Sequence, residues 1–147
     1  MSSFNVSYNA GGVIDRVKVI DEVKKMNLPE HVSPDVNMVS SKGFRLHATS
    51  EEAVSFTQVF NKDVYLCEME ISCEEYDDLD YWELSIDNEK ICETMYTQQM
   101  PKDTTIGHDF SIFPKVPSGS ELKFEFYNAS GRPKKIWVMI SYMYKQE

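Results

Sequence analysis

The sequence has few residues of the kinds that build catalytic or redox sites. Among 147 residues there are three histidines and three cysteines, with no CxxC, HExxH or Cys/His metal-ligand spacing. No serine stands in a GxSxG motif, so nucleophilic catalysis has no motif to start from. These absences argue against an enzyme. A hydrolase that uses a pair of carboxylates is kept only as a third hypothesis.

Basic residues and long apolar runs are also scarce. The formal charge is −9, which repels phosphate backbones and anionic lipid surfaces, so we expect neither nucleic acid nor membrane as a partner. No stretch approaches the length of a membrane span, and the N-terminus lacks the basic start and apolar core of a signal peptide. The odd cysteine count predicts small buried hydrophobic residues in a reducing compartment, at Cys67, Cys73 and Cys92. The sequence therefore predicts a protein made in a cytoplasm.

Residues 1–42 differ from the remainder in their hydrophobic periodicity and predict an N-terminal arm. The segment VIDRVKVIDEVKKM has the spacing of a short amphipathic helix, with apolar residues at Val13, Val17, Ile20 and Val23. Asn27 and two prolines end it, and HVSPDVNMVSSKG follows as an extended connection without a clear period.

Residues 43–147 have a period of two and predict a single all-β domain. The candidate strands, separated by turn residues, are FRLHATS, AVSFTQVF, DVYLCEMEISC, YWELSID, KICETMY, DFSIF, ELKFEFYN and KKIWVMISYMY. About eight short strands predict an antiparallel β-sandwich. The turn-rich segment TQQMPKDTTIGH is long enough to cross between two sheets, which favours a jelly-roll-like order.

Several local features sharpen this prediction. In DVYLCEMEISC, one face is predicted to carry Tyr65, Cys67, Met69, Ile71 and Cys73. Trp82 is in phase with other apolar residues and is predicted to lie in the core. Asp87 and Asn88 predict a tight turn, and NASGRP is predicted to close a final hairpin in which Gly131 adopts a positive φ.

The acidic run between two of these strands is a candidate cation site. Asp77, Asp78 and Asp80 could supply oxygen ligands to Ca²⁺ from a loop, although their spacing does not match an EF-hand. The alternative is a solvated acidic loop with no bound metal.

Aromatic residues are plentiful in the β region and admit two interpretations. Tyr76, Tyr81 and Trp137, with polar neighbours, could stack on the apolar faces of sugars and recognise a cell-surface glycan. The alternative is that such rings fill the core of the sandwich. The two interpretations stay open at this point.

The final strand, KKIWVMISYMY, is apolar on both faces. Ile136, Val138 and Ile140 alternate with Trp137 and Met139, so one core accounts for only half of the strand. The other half needs a cover, which is either the N-terminal segment or a neighbouring subunit. The assembly residues that this predicts are Trp137, Met139 and Met143, together with Val17 and Ile20 of the arm.

The order of motifs resembles the small β-sandwich modules of tailed-bacteriophage virion proteins. The motifs are W-x-L-x-I-x-N from Trp82, P-x-G-x-x-L-x-F-x-F from Pro117, N-x-S-G from Asn128 and W-x-x-I-x-Y from Trp137. Together they span roughly the last 70 residues. The resemblance implies a non-enzymatic capsid decoration, head-fibre, tail or baseplate component, made in the host cytoplasm and located in the virion. It also implies assembly as a homo-oligomer or with other virion proteins.

Overall fold

The computed structural model describes residues 28–49, 53–101 and 104–147 and contains nine strands in that part of the chain. No helix occurs among these residues, so none is long and apolar enough to cross a membrane. The predicted arm helix, including Val17 and Ile20, lies outside the described residues. The strands are β1 (Met38–Ala48), β2 (Ala53–Val59), β3 (Val64–Cys73), β4 (Tyr81–Ile86), β5 (Glu89–Tyr96), β6 (Thr105–Asp109), β7 (Lys115–Val116), β8 (Glu121–Tyr127) and β9 (Lys134–Tyr144).

The strands form two antiparallel sheets. The five-stranded sheet has the order β1-β9-β3-β6, with the short β7 paired to β3, and the four-stranded sheet has the order β2-β8-β4-β5. β1 pairs with β9 along its whole length, from Met38 opposite Tyr144 to Ala48 opposite Lys134. The prediction of an all-β domain of antiparallel strands is therefore confirmed for the described part of the chain.

The inner faces of the two sheets share one hydrophobic core. In β8, Leu122, Phe124 and Phe126 are fully buried and alternate with charged residues, as a strand wetted on one side requires. Phe44 of the five-stranded sheet stacks on Phe56 of the four-stranded sheet, with ring centroids 3.7 Å apart. Burying each large side chain of this core contributes roughly 2–3 kcal/mol before the entropy cost of ordering it.

The turns agree with the sequence in conformation but only partly in connectivity. Asp87 and Asn88 have φ of 49° and 69° and form the two-residue turn between β4 and β5, as predicted. Gly131 has the predicted positive φ, 78°. The prediction of a final hairpin is wrong, because β8 and β9 belong to different sheets and NASGRP crosses between them. The segment between β5 and β6 also crosses between sheets, as predicted.

The predicted phase of β3 is wrong at its start. The register with β9 shifts between Leu66 and Glu68, which makes Cys67 the extra residue of a β-bulge. Leu66 therefore points into the main core, whereas Tyr65 belongs to a second cluster outside it. An inserted residue reverses the alternation of side chains on one side of the bulge, and the apolar sequence gives no sign of it.

Two strand positions also differ from the prediction. β1 begins at Met38, inside the segment that was predicted to be an extended connection. β6 spans Thr105–Asp109 instead of DFSIF. The chain leaves the sheet after Phe110 because the N–H of Phe113 donates to the Phe110 carbonyl and closes a turn, with φ of 49° at Phe113.

Candidate functional site

The two faces of β9 lie in different environments. Ile136, Val138 and Ile140 are buried in the main core. On the opposite face, Trp137 is 42% exposed and Met139 is half-buried. β9 is an interior strand of the five-stranded sheet, and Trp137 is level with Arg45 of β1 and with Ser72 near the end of β3, so it lies toward one end of that sheet's outer face.

Residues 28–36 cover one end of this outer face. Val32 and Val36 pack with Tyr65 and Met143 in a second buried cluster. Backbone contacts fix the segment, since the N–H of Ser33 donates to the Tyr65 hydroxyl at 3.2 Å. Met143 is therefore covered from within the chain and is not open to a partner.

The remaining outer face forms an open groove of about 470 Å³, which we call the outer groove. Trp137 and Met139 supply its apolar part. Its lining comes from the strands on both sides of β9, namely Ser41, Gly43, Phe44, Arg45, Glu70, Ile71, Ser72, Thr105, Trp137, Val138 and Met139.

Two positions on the outer face, one on each side of Met139, are glycines and present no side chain. Gly43 is opposite Met139 in register, and Gly107 is opposite Glu70. A Cβ at Gly107 would meet no heavy atom within 4 Å, and one at Gly43 would meet only the Val138 carbonyl oxygen at 3.9 Å. Packing among the described residues therefore does not require glycine at either position.

Charge divides the outer face around the groove into a basic side and an acidic side. Arg45 lies on β1 and pairs in register with Trp137. Across the sheet, Glu68 and Glu70 on β3 lie beside Asp109 on β6. Partial burial, the charges of Glu70 and Asp109 and a hydrogen bond with Asp109 raise the pKa of Glu68. This crowding means that a positively charged group would be favoured at the acidic side.

The predicted glycan-binding aromatics do not share a surface. Tyr76 is buried, and its hydroxyl donates to the Thr104 carbonyl. Tyr81 lies on the four-stranded sheet and stacks on Tyr127, with centroids 4.5 Å apart, so only Trp137 of the three lines the outer groove. The sequence reasoning overlooked Tyr96, which is 55% exposed and packs edge-on against Tyr81. Tyr96 was missed because β5 is irregular in register, which obscures which of its residues share a face.

The three candidate metal ligands separate in the structure. Asp77 and Asp80 both accept hydrogen bonds from the Lys134 ammonium, at 2.6 and 2.5 Å, and Asp78 is exposed. The buried Lys134 ammonium thus supplies the positive charge between the carboxylates of Asp77 and Asp80. Within the described ranges no group of three His, Cys, Asp or Glu side chains could hold a metal ion.

The cysteines lie in apolar surroundings. Burial raises the pKa of Cys67 and Cys73 to about 12 and that of Cys92 to about 11. The fold places the Cys92 sulfur 3.7 Å from Nε2 of His108, a proximity that sequence spacing did not show. With its pKa raised, the Cys92 thiol stays protonated at neutral pH and is a poor nucleophile.

Comparison with known proteins gives a family but no activity. No curated protein matches the sequence. The model of a family described as "Domain of unknown function (DUF8551)" matches residues 36–147, which include every strand of both sheets. The chain therefore belongs to the DUF8551 family.

Proposed function

We propose that this protein is a non-enzymatic structural subunit of a tailed-phage virion, of the capsid decoration, tail or baseplate kind. The observation that carries the proposal is the open position of Trp137 on the central strand of an otherwise well-packed sheet. A large exposed aromatic beside a methionine is typical of contact surfaces between proteins.

The strand order supports a jelly-roll sandwich, which is the finer fold that we propose. Successive strands β1, β2 and β3 alternate between the two sheets, and β8 and β9 insert between earlier strands. Two nested Greek keys produce this arrangement, and it occurs widely in viral capsid proteins. The fold alone assigns no function, so the proposal depends on the surface.

The partner that we propose for the outer groove is a second copy of the chain. The basic β1 side and the acidic β6 side are three strand spacings apart, or roughly 14 Å. A two-fold axis that lies in the plane of the sheet and bisects the line from Arg45 to Asp109 would place Arg45 of each copy over the acidic side of the other, with Met139 near the axis and Trp137 beside it. Such a surface is self-complementary, as a two-fold interface requires.

A charge exchange tests this arrangement. Arg45→Glu should weaken self-association at low salt, because it places two acidic sides together, and Asp109→Arg should weaken it for the converse reason. The double variant should recover much of the lost association. If each single change has no effect, or if the double variant is the weakest of the set, the proposed arrangement is wrong.

The virion location has a separate test. Mass spectrometry of purified particles from phages that encode the chain should find it in stoichiometric amounts. A protein that is absent from particles and strictly monomeric across the micromolar range would contradict the proposal.

A carbohydrate-binding module is the second candidate. It is favoured by the surroundings of Trp137, since Arg45, Ser72 and Thr105 line the same groove and could bind sugar hydroxyls. The test is a glycan array with wild-type protein and Trp137→Ala. Tyr81→Ala serves as the matched control, because it removes an aromatic from the opposite sheet. Binding that Trp137→Ala leaves unchanged would remove this candidate.

A further inference from the structure

A buried ion cluster joins the start of β9 to the connection before β4. Lys134, the first residue of β9, has a fully buried side chain, and so does Asp80. The Lys134 Nζ lies 2.5 Å from Oδ2 of Asp80 and 2.6 Å from Oδ2 of Asp77. Both carboxylate oxygens are therefore hydrogen-bonded to the ammonium.

The neighbours of this pair hold each atom in place. Oδ1 of Asp80 accepts a hydrogen bond from the backbone N–H of Ala129 at 2.8 Å. Oδ1 of Asp77 accepts one from Arg132 at 2.7 Å, which leaves its Oδ2 directed at Lys134. The site thus contains a buried amine, a buried carboxyl carbon next to it, a second carboxylate and a backbone donor.

We propose that Lys134 and Asp80 become joined by an amide bond between Nζ and Cγ, with Asp77 as the proton carrier. In this step the Nζ–Cγ bond forms and the Cγ–Oδ2 bond breaks. An ammonium and a carboxylate together become an amide and one water molecule, so no oxidant, reductant or other reactant is needed.

The positions of the groups match the demands of the step. Asp77 accepts a proton from the Lys134 ammonium, which leaves a neutral amine to add to Cγ of Asp80. The Ala129 N–H stabilises the negative charge that develops on Oδ1 of Asp80. Protons that Asp77 has taken from Nζ then pass to the departing oxygen, which leaves as water. Because the fold holds the amine next to the carboxyl group, the reaction does not need the high concentrations of amine and acid that it would need in solution.

The charge state explains why Asp77 is required. Burial disfavours the charged ammonium, but the hydrogen bonds that it donates to Asp77 and Asp80 outweigh burial and hold the pKa of Lys134 above its ordinary value. The Lys134 hydrogen bond in turn holds the pKa of Asp77 below its ordinary value. Lys134 is therefore a charged ammonium in the resting fold, and its amine becomes nucleophilic only in the minor state in which a proton has moved to Asp77, which makes the reaction slow.

The bond would close a covalent loop from residue 80 to residue 134. It would fix the beginning of β9, the strand that carries Trp137, to the end of the β3–β4 connection. This inference is independent of the proposed virion role, because it concerns a reaction within one chain.

The test is the intact mass of the purified full-length protein after prolonged incubation at neutral pH. With allowance for removal of Met1, we expect a single species that is lighter than the sequence by one water molecule. Tandem mass spectrometry should find the peptides of Lys134 and Asp80 joined. Asp77→Asn should slow the loss of water by roughly 10²-fold, the usual contribution of a positioned acid or base.

Control variants separate this bond from other dehydrations. Lys134→Arg should retain the full sequence mass, and Lys135→Arg, an exposed neighbour, should lose water like the wild type. Wild-type protein that is folded but has the full sequence mass would overturn the proposal. Water loss that persists in Lys134→Arg would also overturn it, because that water would come from another site. The wild-type mass decides the question even if a variant fails to fold.

Discussion

Glu83 shows how a carboxylate is kept ionised in a nearly buried position on the four-stranded sheet. Burial on its own would raise its pKa, but hydrogen bonds from Lys90 and from the backbone N–H of Thr94 outweigh burial and hold the pKa below the usual 4.5. Oε1 of Glu83 lies 2.8 Å from the Lys90 ammonium. The carboxylate therefore stabilises the fold only in its charged form.

This gives a pH dependence with a definite sign. A folded pKa below the unfolded one contributes stability that is complete above about pH 4.5 and is lost as the pH falls through the lower, folded value. Glu83→Gln should lower the free energy of unfolding by about 1 kcal/mol at pH 7, because Lys90 is half-exposed and solvent screens the ion pair. The loss should become progressively smaller in acid. Urea unfolding at several pH values measures this. A cost that does not change with pH would contradict the assignment, and Glu89→Gln on the same hairpin is the exposed control.

The β4–β5 turn makes a second prediction at the scale of the residue. Asn88 has φ of 69°, where β-branched side chains are strained and glycine is not. Asn88→Val should therefore destabilise the protein by about 1–2 kcal/mol, and Asn88→Gly should leave it nearly unchanged. Thermal unfolding of the two variants compares them directly. Equal unfolding temperatures of the Asn88→Val and Asn88→Gly variants would contradict the positive φ of this turn.

At the scale of the element, regular strands could be read from the sequence and irregular ones could not. β8 was predictable because Leu122, Phe124 and Phe126 keep a strict alternation with charged residues. β3 was misread because the bulge at Cys67 adds one apolar residue among others. β6 was missed because Gly107 and Asp109 have low strand propensity, and pairing with β3 determines their conformation.

The candidate site was also predictable only in part. Phase along β9 correctly placed Trp137 opposite Ile136 and Val138. Sequence could not show that residues 28–36 reach Met143, since that contact depends on the path of the chain. It also gave no sign that Lys134 is buried, because the carboxylates that pair with it lie more than 50 residues away.

The segment that covers Met143 makes a prediction about an element. Val36 is 1% exposed and packs in the second cluster, outside the main core. Val36→Ser removes apolar burial and introduces a hydroxyl, which should cost about 1–3 kcal/mol. Chemical denaturation measures this, with the exposed neighbour change Asp35→Asn as control. If Val36→Ser lowers the free energy of unfolding by no more than Asp35→Asn does, residues 28–36 do not pack on the sheet in solution.

At the scale of the whole molecule, the outer face of the five-stranded sheet is divided into a closed end and an open groove. The closed end is buried by the chain's own residues 28–36, and the groove exposes Trp137 and Met139, with Gly43 and Gly107 level with Met139 on the same face. The open part of the outer face is therefore the surface to which we assign the function. A side chain that is added to this outer face but leaves the fold intact is therefore an informative probe.

Gly107→Val is such a probe. The added side chain meets no heavy atom within 4 Å of its Cβ, and valine suits a strand, so we expect unfolding at or slightly above the wild-type temperature. The same side chain would stand on the outer face next to Glu70, a residue of the groove lining, so it should obstruct a second copy on that face and weaken self-association by tenfold or more, about 1.4 kcal/mol. Wild-type association in this variant would place the contact elsewhere.

Sedimentation velocity of the wild type and Trp137→Ser across the micromolar range shows directly whether Trp137 forms the contact between copies. Tyr96→Ser is the matched control, because it removes an exposed aromatic from the other sheet. The account predicts a concentration-dependent oligomer for the wild type and Tyr96→Ser, and a monomer for Trp137→Ser. A wild type that remains monomeric, or a Trp137→Ser variant that associates as strongly as the wild type, would contradict it.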